Sequence, residues 1–286
     1  MESPKKRVWI TGGRGLIGNY LAETAWMWAP GFAVNALTRA EVDLCDFSEV
    51  KKLFSQFKPD AVIHCAALSK SPACQANPIL ARKLNVEVTR MLADLCSEVP
   101  FLFFSTDLVF DGKKGDYTEE DPVNPVSIYA ETKVEAERVV LANPKHTVVR
   151  TSLNGGVSLS GDRGFNEEIR MAWRMGRTLD LFVDEFRCPI PAEVTARAVW
   201  ELIHANRPGL YHLAGREKLS RFDIGMLLAD RWPDLNPRID AGTLKAYHGA
   251  PRSPDTSLNC AKLQKIIKFQ LPGLRQWLME HPKSVF

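Results

Sequence analysis

Apolar residues in the first half of this chain fall into short unbroken runs separated by longer, spaced stripes. Arg7–Thr11, Phe32–Leu37, Ala61–Cys65, Phe101–Ser105 and Thr147–Thr151 are runs of the first kind, as expected of strands buried on both faces. The stretches Asn19 to about Trp28, Phe47–Phe57, Pro78–Ser97 and Tyr129–Leu141 read as helices. In the third, Leu80, Leu84, Val88, Leu92 and Leu95 form one stripe at helical spacing. Strands alternate with helices and no early hairpin signal intervenes, which predicts an α/β fold with a doubly wound parallel sheet.

After Ser152 the pattern loosens. Gly161–Gly164 reads as a polar loop, Asn166–Met175 as an amphipathic helix, Pro189–Ala205 as a further sheet-covering helix and Leu210–Leu213 as a last strand. Ser220-x-x-Asp223 is a capping box ahead of Met226–Leu228, and Asn259 caps a helix carrying Leu263, Ile266 and Ile267. Residues 1–152 with about 178–214 are expected to form the dinucleotide-binding domain, and about 153–177 with 215–286 a smaller substrate lobe. Trp26, Trp28 and Trp277 read as packing residues.

Composition narrows the partners. The chain has 286 residues, 45% hydrophobic and 25% charged, which supports one large or two modest domains with ample core. A net charge of +3 is too small to point to nucleic acid or an anionic membrane. No stretch reaches the length of a membrane span, and Lys5-Lys6-Arg7 leads straight into a strand, so no secretory leader is expected. The six cysteines show no Cys-x-x-Cys pair; buried reduced thiols in a cytoplasmic protein, with no metal, are the expectation.

The chemistry gathers at predicted strand ends. The first strand runs into Gly12-Gly13-Arg14-Gly15-Leu16-Ile17-Gly18 and then a helix, the setting of a dinucleotide loop. Gly12 permits the turn, Gly15 the approach of a pyrophosphate, and Gly18 close packing of the helix. The second strand ends at Thr38-Arg39 without the acid that NAD-selecting folds place there. Arg39 and Arg14 would suit a 2′-phosphate, which favours NADPH and leaves NADH as the alternative. Asp43 and Leu44 either meet the adenine edge or serve locally, Asp43 as the cap of the next helix. Cys65, Ala66 and Ala67 let a cofactor lie against the backbone, whereas His64 reads as a packed core histidine. Asn85 is either a buried structural amide or a residue that orients the site. Ser105, Thr106, Thr151 and Ser152 lie at two further strand ends. Tyr129 and Lys133 stand four residues apart and share a helix face, so the lysine charge would lower the phenol pKa and let Tyr129 protonate a carbonyl oxygen.

Together these segments resemble the extended short-chain dehydrogenase/reductase superfamily, and within it the dTDP-4-dehydrorhamnose reductase (RmlD-like) family. Ser105-Thr-Asp-Leu-Val-Phe-Asp-Gly112 is similar to that family's S-T-D-Y-V-F-D-G, and Glu119–Tyr129 to its E-x-D-x-x-x-P-x-x-x-Y. Arg150-Thr-Ser152, Asp184–Pro189 and Arg252–Ser257 resemble its R-T-S, D-Q-x-G-x-P and R-P-x-D-x-S-L runs. The resemblance implies a Rossmann-type nucleotide domain and hydride transfer from nicotinamide to a nucleotide-linked 4-keto-6-deoxy sugar. Tyr129 would be the proton donor, Lys133 would hold the nicotinamide ribose, and Thr106 would bond the substrate oxygen. Val109, Leu153, Asn154, Arg187 and Arg252 would face the sugar nucleotide, Arg252 towards its pyrophosphate. Leu108, Leu153-Asn154, the Ser69–Ala76 loop and Arg187 depart from the family pattern. The same resemblance extends to the regulatory β-subunit of methionine adenosyltransferase, a non-catalytic alternative, and to sugar-nucleotide epimerases and dehydratases. It also implies a homodimer.

Overall fold

A computed structural model describes residues 5–284 and 286. Its centre is a sheet of six parallel strands: β1 (Lys6–Thr11), β2 (Phe32–Leu37), β3 (Ala61–His64), β4 (Phe101–Thr106), β5 (Thr147–Thr151) and β6 (Gly209–Leu213). Their order is β6-β5-β4-β3-β1-β2. The order reverses next to β1, and in open α/β sheets ligands bind at such a switch point, outside the carboxyl ends of the strands.

Alternate side chains of each strand enter two separate cores, which is why apolar residues run unbroken through the middle of β1, β3 and β4. Val8, Ile10, Ile63, Leu102, Phe104 and Val149 pack on one face with Leu21 and Trp200. These come from helices α1 (Leu16–Trp28) and α6 (Ala192–Ala205). Trp9, Val62, Phe101, Phe103 and Val148 pack on the other face with Val50, Leu92 and Val140. These belong to α2 (Phe47–Phe57), α3 (Val88–Leu95) and α4 (Ile128–Leu141). The Trp9 ring meets Phe54 edge-on at 5.5 Å and stacks on Phe57 at 5.8 Å.

Several local features differ from the sequence reading. Asp46, and not Asp43, caps α2 by accepting from the Glu49 N–H. The expected helix from Pro78 is broken by a π-helical turn at Lys83–Glu87 before α3, and such turns are frequent at functional sites. Trp26 is 72% exposed and packs against nothing substantial, whereas Trp277 is buried in the lobe.

The smaller lobe is built on α5 (Phe165–Arg174) and α7 (Arg221–Arg231), whose Phe165, Ile169, Trp173, Ile224 and Leu228 surround Leu274, Trp277 and Phe286. Ser220 and Asp223 form the capping box that starts α7. Leu179–Phe182 pairs with Ile239–Gly242, and Phe186–Arg187 with Leu219–Ser220. Leu179–Phe182 and Phe186–Arg187 therefore pair with these short strands and not with the main sheet. These strands are too short to carry a periodic signal.

Candidate active site

At the end of β1 the chain turns back on itself at Gly12, whose φ is +72°. A Cβ on Gly12 would lie 2.8 Å from the Ala66 nitrogen, and one on Gly18 would lie 2.4 Å from the Gly12 carbonyl oxygen. The glycine loop, the start of α1 and Cys65-Ala66-Ala67 thus form one cradle of bare backbone. Gly15 is the N-cap of α1 and offers no side-chain cap. Leu16 is buried and Ile17 half-buried behind it, so the first N–H groups of α1 are left to bind an anion. The Ser105 hydroxyl, on β4, is buried without a hydrogen-bond partner. Glycines packed too closely on neighbouring backbone to carry a Cβ, uncapped N–H groups at the start of α1 and the orphan Ser105 hydroxyl at another strand end fit a bound dinucleotide.

The adenosine end is open. Arg14 and Arg39 are exposed. The nearest acid after β2, Glu41, turns back to accept from the Thr38 N–H at 2.7 Å. Asp43 is exposed and accepts from the Cys45 N–H at 3.0 Å, while Leu44 packs towards the core. His64 is fully buried between the hydroxyls of Thr11 (2.6 Å) and Thr89 (3.1 Å), and burial pulls its pKa down to about 3. It is a neutral packing residue.

The two residues expected to handle the proton sit on α4, which Ser127 caps through the Ala130 N–H. Tyr129 in the first turn is half-buried, and Lys133 one turn on is buried. The Lys133 ammonium lies 3.9 Å from the centroid of the Phe103 ring, and burial lowers its pKa to about 7. The Tyr129 phenol is pushed up, first by burial and then by the negative charge of Asp107, against a hydrogen bond with Thr106. This corrects the expectation that Lys133 lowers the phenol pKa. A buried lysine titrating near neutrality carries only part of its charge and does not offset the desolvation of its neighbour. Tyr129 therefore keeps its proton at neutral pH, as a proton donor must.

Asn85, on the π turn, resolves as both a structural amide and an orienting group. It accepts from the Leu68 N–H at 2.8 Å and donates to Thr132 Oγ1 at 3.0 Å, and Thr132 donates to the Tyr129 carbonyl at 2.7 Å. The loop after β3 and the helix bearing Tyr129 are thereby tied together.

Asp107 is the hub of the substrate side. Its carboxylate accepts from Thr106 Oγ1 (3.2 Å), Ser152 Oγ (2.7 Å) and Thr256 Oγ1 (2.9 Å). Arg187 Nε lies 3.8 Å from it. Arg187 is only 4% exposed and pairs through Nη2 with Glu185 at 2.7 Å, so it is not presented to a ligand as expected. Arg252 is held by the same Glu185 in a two-point bond of 2.7 and 2.9 Å, with its guanidinium near the rings of Phe182 and Tyr247. Val109 is fully buried against Phe110 and Tyr117, which removes it from any ligand surface. Leu153 leans on the lobe core. Asn154 donates to Thr151 Oγ1 at 2.9 Å and accepts from Thr195 at 2.6 Å.

The sequence reading missed Asp107, Glu185 and Thr256 as site residues. Asp107 and Thr256 lie within the Ser105–Gly112 and Arg252–Ser257 runs and Glu185 within Asp184–Pro189, but the partners Arg187, Thr256 and Arg252 lie about 65 to 150 residues away in sequence and cannot be paired by spacing. Among the described residues no cluster of three or more His, Cys, Asp or Glu could hold a metal ion. Among the described residues no helix is long and apolar enough to cross a membrane.

Comparison with known proteins places this geometry. The family profile "RmlD substrate binding domain" matches residues 6–285. The chain is 28% identical over 278 residues to methionine adenosyltransferase 2 subunit beta of Xenopus laevis, covering 92% of this chain and 83% of that one. It is 31% identical over 234 residues to a probable low-salt glycan biosynthesis reductase, Agl14, of Haloferax volcanii, covering 76% and 77%. A dTDP-4-dehydrorhamnose reductase of Sinorhizobium fredii is 28% identical over 282 residues, with 93% of each chain covered. Among solved structures, a hypothetical dTDP-4-dehydrorhamnose reductase from Sulfolobus tokodaii superposes with a TM-score of 0.83 at 27% identity, covering 94% and 97%. The dTDP-4-dehydrorhamnose reductase of Bacillus anthracis, solved in complex with NADP, gives 0.86 at 22% identity, covering 96% and 98%.

Proposed function

The chain belongs to the RmlD substrate binding domain family, an oxidoreductase lineage of the extended short-chain dehydrogenase/reductase superfamily, and on that premise we propose that it reduces the keto group of a nucleotide-linked 4-keto-6-deoxy sugar with NADPH. The observation that carries the reading is the placing of Tyr129 and Lys133 one turn apart on α4, with Lys133 3.9 Å from the Phe103 ring of β4, and the unpartnered buried hydroxyl of Ser105 on the same strand.

Gly12, Gly15 and Gly18, the N–H groups at the start of α1, Cys65–Ala67, Ser105, Thr151 and Ser152 would hold the dinucleotide, and Arg14 and Arg39 its 2′-phosphate. When bound, the nicotinamide supplies the hydride. Tyr129 gives its proton to the developing alkoxide, help worth about 100- to 10,000-fold. Lys133 holds the ribose hydroxyls and draws its charge from that contact, since burial alone leaves it only partly protonated near pH 7. Thr106 fixes the phenol. Asp107 argues against a dehydratase, in which a carboxyl group must be free to exchange a proton, because three hydroxyls and Arg187 already occupy it.

The match along 92% of the chain to a methionine adenosyltransferase β-subunit favours a second reading, a nucleotide-binding regulatory subunit. One experiment separates the two: NADPH oxidation assayed with dTDP-, UDP- and GDP-linked 4-keto-6-deoxy sugars. Turnover with at least one supports the reductase. Tight NADPH binding without turnover on any of them, together with co-purification of a larger catalytic subunit, supports the alternative.

A further inference from the structure

The substrate side holds an ionic chain, buried at Asp107, Glu185 and Arg187 and reaching solvent at Arg252, that the proton-donor chemistry does not use directly. Its members come from separate parts of the sequence: Asp107 after β4, Glu185 and Arg187 in a short lobe strand, Arg252 in the 251–257 loop. The guanidinium of Arg187 is held at three points. Nη1 donates to the Phe186 carbonyl at 2.7 Å, Nη2 meets Glu185 at 2.7 Å, and Nε faces Asp107 at 3.8 Å. Glu185 keeps Arg187 in place and is itself held from the far side by Arg252.

The consequence falls on Thr106. A hydroxyl has one proton and two acceptor sites. Thr106 Oγ1 accepts from the Leu108 N–H at 3.2 Å and donates to Asp107 at 3.2 Å, so its one proton is directed at Asp107. That arrangement requires Asp107 to be an acceptor. We propose that Arg187 is a positioning residue: it fixes the Asp107 carboxylate as the acceptor of the Thr106 proton and so holds the Thr106 hydroxyl in one orientation at the C-terminal end of β4. Arg187 touches neither cofactor nor substrate and acts through Asp107.

The groups that face Asp107 are Thr106 from β4, Ser152 following β5, Thr256 from the C-terminal segment, Arg187 and Cys188 from the lobe strand region, and Tyr129 from α4. Of these only Arg187 is cationic. Burial pushes the Asp107 pKa up and the Arg187 charge holds it down.

The kinetic half of the test rests on the reductase reading, and the titration half does not. In protein labelled with 13C at aspartate carboxyls, the Asp107 signal is identified as the one absent from Asp107→Asn. Arg187→Met should raise its titration by about one to three pH units, while Arg187→Lys, which keeps the charge, should return it near the parent position. Thermal melting of each variant checks that it is folded. With a substrate that the parent turns over, Arg187→Met should lower kcat about tenfold or more with little change in KM. In an Asp107→Asn background the same change should cost almost nothing further. An Asp107 titration unmoved by Arg187→Met, or losses that multiply in the double variant, would overturn the proposal. If the parent turns over no keto-sugar, the reductase reading falls and the titration still decides the role of Arg187.

Discussion

Lys133 holds its ammonium 3.9 Å above the ring of Phe103, inside a site where burial alone brings its pKa down from 10.5 to about 7. The unfolded chain therefore binds one more proton than the folded chain between about pH 7 and 10.5, and the cofactor-free fold gains stability as pH rises through that window. Each step of one pH unit across it adds about 1.4 kcal/mol. Lys133→Met should melt higher than the parent without cofactor. The difference should be largest below about pH 7 and shrink towards pH 10.5, while cofactor-dependent activity is lost. Thermal melts at several pH values check the sign.

His64 and His212 bear on the acid side. Burial lowers each from 6.5 to about 3, so the stability they preserve is present above about pH 6.5 and is lost as the solution is acidified towards 3. Two protons taken up on unfolding give a slope of about 2.7 kcal/mol per pH unit, reduced by Asp107, whose raised pKa acts oppositely. Urea denaturation between pH 7 and 4 should show a steep loss that flattens when either histidine is replaced.

Glu137 and Arg150 form a two-point ion pair of 2.7 and 2.9 Å between α4 and β5, both side chains about 95% buried. Glu137→Ala strands the arginine and should cost about 3–5 kcal/mol, read as a fall in melting temperature with NADPH absent.

Much of this architecture is legible in the sequence because each central strand is buried on both faces and so carries an unbroken apolar run. The glycine loop is legible because only glycine fits at Gly12 and Gly18. The ion chain on the substrate side is not. Arg187 and Arg252 read as ligand contacts when their partner Glu185 is unseen, since pairing across the lobe leaves no periodic trace. The acidity of Tyr129 escapes the sequence for a related reason: spacing gives proximity to Lys133 but not the burial that decides both pKa values.

Under the proposed reading Arg39 and Arg14 would select NADPH through its 2′-phosphate. Arg39→Ala should weaken NADPH binding about tenfold or more, the value of a lost charged hydrogen bond, and leave NADH affinity near the parent value. Fluorescence titration with both nucleotides measures the ratio. Equal losses for the two would assign Arg39 no part in 2′-phosphate recognition.

Tyr129→Phe tests the proton-donor role most directly, because it removes one oxygen and leaves the ring that fills the cleft. With a 4-keto-6-deoxy nucleotide sugar that the parent reduces, kcat should fall by about 100-fold or more while NADPH affinity stays near the parent value. A variant that oxidises NADPH as fast as the parent would contradict that role.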